Sequence, residues 1–234
     1  MTATPVAPGM HFGQGLTEPY ALALAKGTGT LTLRPDTDQN ADPVDFDVQG
    51  WCAEASPAEL SVLKRLDGPL LDIGCGPGRL LSAAQNLGLT AWGIDTSAEA
   101  VRRARSRGVR VLEQSIFDPV PHTGQWQSLI LLDGNIGIGG GITALLRRCR
   151  HLVAPQGALL VEVEADDELD TVYTAVLEDP AGNRSAPFRW ARTGTGGIAA
   201  RAPRSGWTVA SVHRVQGRVF CRLSPSAWPS RTAV

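Results

Sequence analysis

The sequence predicts an α/β fold built on one mostly parallel β-sheet with helices on both faces. Between residues 70 and 164, short apolar runs alternate with amphipathic segments, which is the pattern of consecutive βα units. The first run leads directly into a glycine-rich turn and a helix. Near the end, segments 207–215 and 218–223 alternate in polarity and indicate an antiparallel hairpin. These observations predict seven strands, the last of them antiparallel.

Length and charge limit the classes of function. The 234 residues suffice for one sizeable α/β domain with a small addition. A formal net charge of −1 gives no overall attraction to nucleic acid or to a membrane surface, and no run approaches the length of a membrane span. The four cysteines have no C-x-x-C spacing, and the first residues lack the basic and apolar regions of a signal peptide. We expect a cytoplasmic protein with no nucleic-acid or membrane partner, of unknown oligomeric state.

Residues 1–56 are predicted to form a small cap. A short helix is expected to begin beside Pro19, and the segments 30–33 and 44–48 alternate like the strands of a hairpin. The turn-rich residues 35–43 lie between them. We therefore expect the N-terminal segment to be a hairpin extension that caps the main domain.

The main domain is expected at 57–225, followed by a tail at 226–234. Its first helix is predicted from Ser56, since this capping residue is followed by a proline and then by a glutamate at the third helical position. Strands are expected at 70–74, 90–94, 109–113, 127–133 and 158–164, and helices at 78–87, 97–107 and 142–153. Beyond Ala165 the sequence predicts irregular chain up to Trp207.

The glycine-rich turn carries the main functional signal. Residues 70–81 read LLDIGCGPGRLL, with the spacing G-x-G-x-G. Arg79 stands where a dinucleotide fingerprint would need its third glycine, and Asp72 precedes the first glycine. The stretch resembles motif I of the class I S-adenosylmethionine-dependent methyltransferases, in which an acidic residue is followed by G-x-G-x-G. The resemblance covers about residues 57–223 and implies S-adenosylmethionine as the cofactor.

Ligands of open α/β sheets bind beyond the carboxyl ends of the strands. In this family an acid at the position of Asp95 binds the ribose hydroxyls, and Asp118 corresponds to a residue at the adenine edge, although it also suits a simple turn before Pro119. The cofactor contacts that the resemblance implies are Asp72, Gly74, Cys75, Gly76, Gly78, Asp95, Thr96, Ser115, Ile116, Phe117 and Asp133.

Three residues are candidates for a catalytic role. Asp133 and Asn135 follow the fourth parallel strand on a glycine-rich floor, where they would orient the acceptor or bind the methionine ammonium. A purely structural Asn135 that caps a turn is the alternative. His11 is the histidine of the N-terminal segment and a candidate general base. The family's D/N-P-P-Y/F motif is missing here, which argues against methylation of nucleic-acid bases and of glutamine.

Two further groups have open interpretations. Glu162 and Glu164 share one face of the fifth strand, so they either reach the rim of the cleft or are neutralised by arginines. The aromatic residues outside the predicted sheet either line an acceptor pocket or pack the cap onto the sheet; they are Tyr20, Trp51, Phe188 and Trp190. No metal site is expected.

The sequence therefore predicts transfer of a methyl group from S-adenosylmethionine to an oxygen, nitrogen or sulfur atom of a small molecule. Two other classes fit less well. A nicotinamide-dependent oxidoreductase of the Rossmann type would need the glycine that Arg79 replaces. A non-catalytic protein that only binds S-adenosylmethionine would be distinguished by binding without turnover.

Overall fold

A computed structural model describes residues 12, 18–37 and 41–226. It contains two β-sheets and seven α-helices within these residues. In chain order the elements are α1 (Pro19–Lys26), β1 (Thr30–Pro35), β2 (Val44–Asp47), α2 (Val48–Cys52), α3 (Pro57–Leu63), β3 (Leu70–Ile73), α4 (Arg79–Asn86), β4 (Ala91–Asp95), α5 (Ala98–Ser106), β5 (Arg110–Glu113), β6 (Trp126–Leu131), α6 (Ile142–Leu152), β7 (Val153–Val163), β8 (Asp170–Glu178), β9 (Phe188–Thr193), α7 (Thr195–Arg201), β10 (Trp207–Val215) and β11 (Arg218–Pro225). Short 3₁₀ segments lie at Asn135–Gly140 and Pro203–Ser205.

The larger sheet, which we call the core sheet, has seven strands in the order β10-β11-β7-β6-β3-β4-β5. The five strands β7, β6, β3, β4 and β5 run parallel to one another, whereas β11 is antiparallel to both of its neighbours, β7 and β10. This confirms the predicted seven-stranded sheet with an antiparallel final strand. The order of the strands in the sheet reverses between β3 and β6. Ligands of such sheets bind at this point, so the carboxyl ends of β3 and β6 lie beside the expected ligand site.

Helices cover both faces of the core sheet, as predicted. Because side chains alternate along a strand, Leu71 and Leu129 pack with α6 on one face, whereas Leu70 and Ile130 pack with α3, α4 and α5 on the other. Burial on both faces explains why the parallel strands are nearly continuous apolar runs. Asp72 lies in the middle of such a run and is fully buried.

The smaller sheet, which we call the cap sheet, is antiparallel with the order β2-β1-β8-β9. The N-terminal hairpin of β1 and β2 was predicted and is confirmed. The predicted irregular chain beyond Ala165 is wrong, since β8, β9 and α7 lie there. The pairing of β8 with β1 joins residues more than 140 positions apart, for example Thr32 with Glu178. Local sequence patterns carry little information about a pairing of this kind.

Helix starts follow local signals. The Ser56 hydroxyl accepts from the Glu59 backbone, and the Glu59 carboxylate accepts from the Ser56 backbone at 2.7 Å, so α3 begins with the predicted capping box. Glu18 caps α1 by accepting from the Ala21 backbone N–H at 3.0 Å. These caps provide acceptors for backbone N–H groups in the first turns of both helices.

Candidate active site

The glycine-rich turn joins β3 to α4 and forms one wall of the site. Gly74, Gly76 and Gly78 all have positive φ angles, which L-residues with a Cβ rarely adopt. A Cβ at Gly74 would lie 2.7 Å from the Asn135 amide, so this position also requires close approach. A Cβ at Gly76 would meet only the Tyr20 hydroxyl, at 3.5 Å. The backbone at Gly76 is therefore open toward a ligand.

Asp95 ends β4 and ties the glycine-rich turn to the next helix. One carboxylate oxygen accepts from the Gly76 backbone N–H and the other from the Ser97 backbone N–H, both at 2.8 Å. Burial raises the pKa of Asp95, and these backbone donors partly offset the rise. Each carboxylate oxygen accepts two hydrogen bonds, so Asp95 keeps capacity for hydroxyl groups of a ligand.

An elongated cleft runs over the carboxyl ends of β3, β4 and β6. Its larger part has a volume of about 980 Å³, some of it open to solvent, and reaches from Gly74 past Asp95 to Ser115. A part of about 400 Å³ continues past Gly76 to Asp133. The two parts share Phe12, Tyr20, Gly74, Asn135 and Trp190. Together they form one cleft with a distal end at Ser115 and a proximal end at Asp133.

At the distal end the predicted residues separate into two groups. Ser115 and Ile116 line the cleft, together with Gln114, which sequence reasoning did not single out. The Phe117 side chain is 44% exposed and lies outside the lining. The Asp118 carboxylate accepts from the Ser115 backbone N–H at 3.0 Å, so it holds the turn in this structure.

At the proximal end Asn135 holds the glycine-rich turn in place. Its side-chain amide donates to the Ile73 carbonyl at 3.0 Å and to the Gly74 carbonyl at 2.9 Å. These contacts correspond to the structural alternative from the sequence. Since Asn135 also lines both parts of the cleft, a role toward ligand stays a prediction.

Asp133 is held by two arginines. Arg79 donates to its two oxygens at 3.0 and 2.8 Å, and Arg218 donates to Oδ1 at 3.0 Å. The Asp133 backbone N–H donates to Glu162 at 2.7 Å, in the left-handed conformation with φ of 56°. Burial raises the pKa of Asp133, an effect that the two guanidinium groups oppose. Asp133 is thus held in a fixed position by the two arginines and by its own backbone hydrogen bond.

We call the surrounding residues the ionic cluster; they are Glu59, Arg79, Asp133, Glu162 and Arg218. Glu59 contacts both guanidinium groups, although only 2% of its side chain is exposed. Burial would raise its pKa, but the hydrogen bonds and charges of Arg79 and Arg218 lower it to about 2. Sequence reasoning assigned Glu59 to a helix cap and overlooked Arg218. The position of Arg79, directly after the glycine-rich turn, was the one feature of the sequence that indicated a charged cluster beside the cleft.

Asp72 lies near this cluster with no partner. It is 1% exposed, and neither carboxylate oxygen has a hydrogen-bond partner among the described residues. Burial raises its pKa well above the usual range, and the nearby Asp133 carboxylate adds to the rise. A buried carboxyl without a donor is unfavourable on its own, and a cationic ligand group would stabilise its charged form.

Aromatic residues close the cleft from the side of the cap sheet. Phe12 contacts Tyr20 at a ring-centroid distance of 5.0 Å and Trp190 at 5.3 Å, and Tyr20 contacts Trp51 at 5.7 Å. Phe12, Tyr20 and Trp190 also line the cleft. Tyr20 and Trp190 pack the cap and line the cleft at the same time, and their role in an acceptor pocket stays a prediction. Phe188 is buried within the cap.

A second cavity, which we call the cap chamber, lies between the cap sheet and the ends of β6 and β7. It measures about 470 Å³, some of it open to solvent, and shares Phe46 and Trp190 with the cleft. Glu162 and Glu164 both line it, and both pair with arginines, Glu162 with Arg218 and Glu164 with Arg192. The alternative that arginines neutralise these acids is therefore confirmed, and both acids line the cap chamber rather than the cleft.

His11 lies outside the described residues. None of the three described histidines lines the cleft or the chamber: His122 contacts Trp92 and Trp126, His151 meets the Arg147 carbonyl, and His213 lies in β10. Within the part of the chain that the structure describes, no group of three or more His, Cys, Asp or Glu side chains is placed to hold a metal ion. In the same part, no helix is long and apolar enough to cross a membrane.

Comparison with known families identifies a domain within the chain. Residues 70–157, from β3 into β7, match the family model of a methyltransferase domain. This part of the chain is similar to the methyltransferase domain that the sequence predicted. No protein of curated function matches the sequence.

Solved methyltransferase structures share the fold. A Bacteroides fragilis S-adenosylmethionine-dependent methyltransferase, in complex with S-adenosylhomocysteine, aligns with a TM-score of 0.73 at 20% identity over 90% of this chain and 95% of that one. The methyltransferase CcbJ from Streptomyces caelestis gives 0.60 at 14% identity over 76% and 93%. The 1,6-didemethyltoxoflavin N1-methyltransferase of Burkholderia thailandensis, with its substrate and S-adenosylhomocysteine, gives 0.53 at 15% identity over 76% and 81%. At these identities the likeness is one of fold.

Proposed function

We propose that this protein transfers a methyl group to an oxygen, nitrogen or sulfur atom of a small molecule bound in the cap chamber. The observation that carries the proposal is the position of the chamber. Its space is partly open to solvent and adjoins the proximal end of the cleft at Phe46 and Trp190. A recess that is lined mostly by apolar and aromatic side chains suits a small molecule rather than a nucleic acid or a protein chain.

The cleft fits S-adenosylmethionine by the chemistry of its residues. Asp95 lines the cleft and retains acceptor capacity for ribose hydroxyls. The open backbone at Gly76 leaves room for the rest of the ligand, while Ser115 and Ile116 would flank the adenine. Asp72 is buried outside the cleft lining, so a contact between its carboxylate and the amino-acid portion stays a prediction. When bound, S-adenosylmethionine supplies a methyl group that its sulfonium has already activated.

The protein's own residues act mainly by positioning. Asn135 fixes the glycine-rich turn through two carbonyl groups, and Arg79 and Arg218 fix Asp133. Because both oxygens of Asp133 accept guanidinium hydrogen bonds, we assign to it a fixed negative charge rather than the role of general base. Holding the reacting atoms in line at short distance supplies much of the acceleration in such a transfer.

Trp190 and Phe46 form the boundary between cleft and chamber. Both line the two spaces, and Trp190 is 3% exposed. Their rings would exclude water from the path between methyl donor and acceptor. A small acceptor would approach from the chamber side while the cofactor approaches from the open distal part of the cleft.

Filling the chamber tests the proposal. Val44 lines the chamber, so Val44→Trp should block the acceptor site and leave the cleft intact. Val172, on the cap strand β8, is 42% exposed and lies outside the chamber lining, and Val172→Trp is the matched control. Each variant is incubated with methyl-labelled S-adenosylmethionine and a cell extract, and the label is separated into small-molecule and macromolecular fractions.

For the wild type and for Val172→Trp, we expect the labelled methyl group in the small-molecule fraction. Val44→Trp should lose this label while retaining wild-type affinity for S-adenosylhomocysteine. Label in nucleic acid or protein alone would contradict a small-molecule acceptor. Undiminished small-molecule labelling by Val44→Trp would contradict the chamber as its site.

A further inference from the structure

The arginines of α6 donate to backbone carbonyl groups of neighbouring segments. Arg150 contacts the Gly206 carbonyl at 3.0 Å. Arg147 contacts the Arg204 carbonyl through Nε at 3.3 Å and through Nη2 at 3.2 Å. Both of these carbonyls belong to the connection between α7 and β10. Arg148 is directed elsewhere, because it contacts the segment that forms the distal end of the cleft.

The segment in contact with Arg148 is the turn of residues 115–118, which we call the distal turn. It follows β5, and its residues Ser115 and Ile116 line the cleft. Arg148 Nε donates to the Ile116 carbonyl at 2.8 Å, and Arg148 Nη2 donates to the Asp118 carbonyl at 2.6 Å. A charged donor forms stronger hydrogen bonds than a neutral one, and the planar guanidinium fixes the directions of both donors. The two contacts therefore fix the orientation of the distal turn relative to α6.

The shape of the distal turn is set by its own hydrogen bonds. The Ser115 backbone N–H donates to the Asp118 carboxylate at 3.0 Å, and the Asp118 backbone N–H donates to the Ser115 carbonyl at 3.1 Å. The Phe117 backbone N–H donates to the Ser115 hydroxyl at 3.2 Å. Because all three contacts lie within the turn, they do not determine where the turn lies on the protein. Its position depends on contacts with the rest of the domain.

The Ile116 side chain also links the distal turn to the face of the core sheet that α6 covers. Ile116 is 2% exposed and belongs to the same buried cluster as Leu145 and Cys149 of α6. Apolar burial of this kind is non-directional, whereas Arg148 adds two directed hydrogen bonds. The position of the wall that Ser115 and Ile116 form therefore depends on Arg148.

We propose that Arg148 is a positioning residue of the cofactor site, which holds the distal turn against the adenine of S-adenosylmethionine. Arg148 itself lies outside the lining of the cleft, so it acts through Ser115 and Ile116 rather than by touching the ligand. Without Arg148 the wall would be free to move away from the base, while the glycine-rich turn at the other end of the cofactor would keep its own contacts. This inference rests on the proposed function, which places the adenine beside Ser115 and Ile116.

Two neighbouring arginines supply the test and its control. Arg148→Met removes both donors and keeps the apolar length of the side chain. Arg147→Met is the matched control, because Arg147 donates through the same two nitrogen atoms to a carbonyl outside the cleft lining. Calorimetric titration of the full-length protein with S-adenosylhomocysteine gives the affinity. Saturation-transfer NMR, with irradiation of the protein methyl groups, gives the ratio of signal at the adenine ring protons to signal at the homocysteine methylene protons.

Arg147→Met should match the wild type in both measurements. Arg148→Met should bind S-adenosylhomocysteine about tenfold more weakly, with a lower ratio, because contact is lost at the base. Arg148→Lys keeps one donor nitrogen and should change in the same direction by a smaller amount, which preserves the test if Arg148→Met does not fold.

Two results would overturn the inference. One is wild-type affinity in both variants of Arg148. The other is a loss of affinity with an unchanged ratio, since a general loosening of the fold would weaken contact with the base and with the homocysteine portion alike. A wild type that fails to bind S-adenosylhomocysteine would instead overturn the cofactor site on which the proposed function depends.

Discussion

Arg218 Nη2 lies 3.0 Å from Asp133 Oδ1 and so connects the last strand of the chain to the residue that follows the fourth parallel strand. The two residues are 85 positions apart. The contact exists because β11 is inserted next to β7, which brings the start of β11 to the carboxyl end of the parallel strands. The antiparallel hairpin thus supplies a charge to the proximal end of the cleft as well as closing the sheet.

Removing this charge should destabilise the fold. Arg218→Met would leave Glu162 and Asp133 with less compensation in a buried environment, and we expect a loss of roughly 3 kcal/mol in the free energy of unfolding. The matched control is Arg214→Met in the same hairpin, whose pair with Asp167 is about half exposed. That change should lower stability by less than about 1 kcal/mol. Urea denaturation measures both, and equal losses would contradict a special role for Arg218.

Glu59 should make stability depend on pH. Its pKa is lowered from 4.5 to about 2 in the folded state, so its contribution is fully present above pH 4.5 and is lost as the pH falls toward 2. This contribution is about 3 kcal/mol for the wild type, and Glu59→Gln should lack it. Unfolding free energies measured by urea denaturation across this range test the difference. In the control Glu54→Gln, where the side chain is 80% exposed, the profile should match the wild type. Identical profiles for Glu59→Gln and wild type would refute the assignment.

Asn135 should support cofactor affinity through the glycine-rich turn. Asn135→Ala leaves the Ile73 and Gly74 carbonyls without their side-chain donor, and we expect about tenfold weaker binding of S-adenosylhomocysteine. Asn183→Ala also removes an amide donor, but from an exposed contact with Asp179 in the β8–β9 turn. Calorimetric titration should show wild-type affinity for Asn183→Ala. The same affinity in both variants would mean that the turn holds its shape without Asn135.

Alanine at Gly76 should lower both the stability of the fold and the affinity for ligand, and a comparison with Gly182 distinguishes the two effects. Both Gly76 and Gly182 have positive φ angles, and neither has an atom within 3.4 Å of an added Cβ. Alanine at either position should therefore lower stability by a similar amount, roughly 1–2 kcal/mol. Gly76→Ala alone should lose affinity for S-adenosylhomocysteine, because its methyl group would enter the cleft. Thermal unfolding and calorimetry distinguish the two effects, and equal ligand affinity in both variants would argue against ligand approach at Gly76.

The core sheet was predictable because each βα unit carries its own signals. The glycine-rich turn, the acid Asp95 at the end of β4 and the cap at Ser56 are local in sequence, and each occurs where the pattern placed it. The paired strands β8 and β9 were missed because β8 joins the N-terminal hairpin over a long sequence separation. Arg218 was missed for the same reason, because its contacts with Asp133 and Glu162 depend on the placement of β11 beside β7. Glu59 was found as a helix cap, but its contact with Arg79 requires the packing of α3 beside α4.

The most direct test is calorimetric titration with S-adenosylhomocysteine and, separately, with NADP. The wild type, Asp95→Ala and Asp179→Ala are compared; Asp179 also accepts from two backbone N–H groups, those of Ala181 and Asn183, but in a surface turn. The account predicts that the wild type and Asp179→Ala bind S-adenosylhomocysteine, that Asp95→Ala does not, and that none of the three binds NADP. Undiminished binding by Asp95→Ala, or binding of NADP in place of S-adenosylhomocysteine, would contradict the assignment of the cleft.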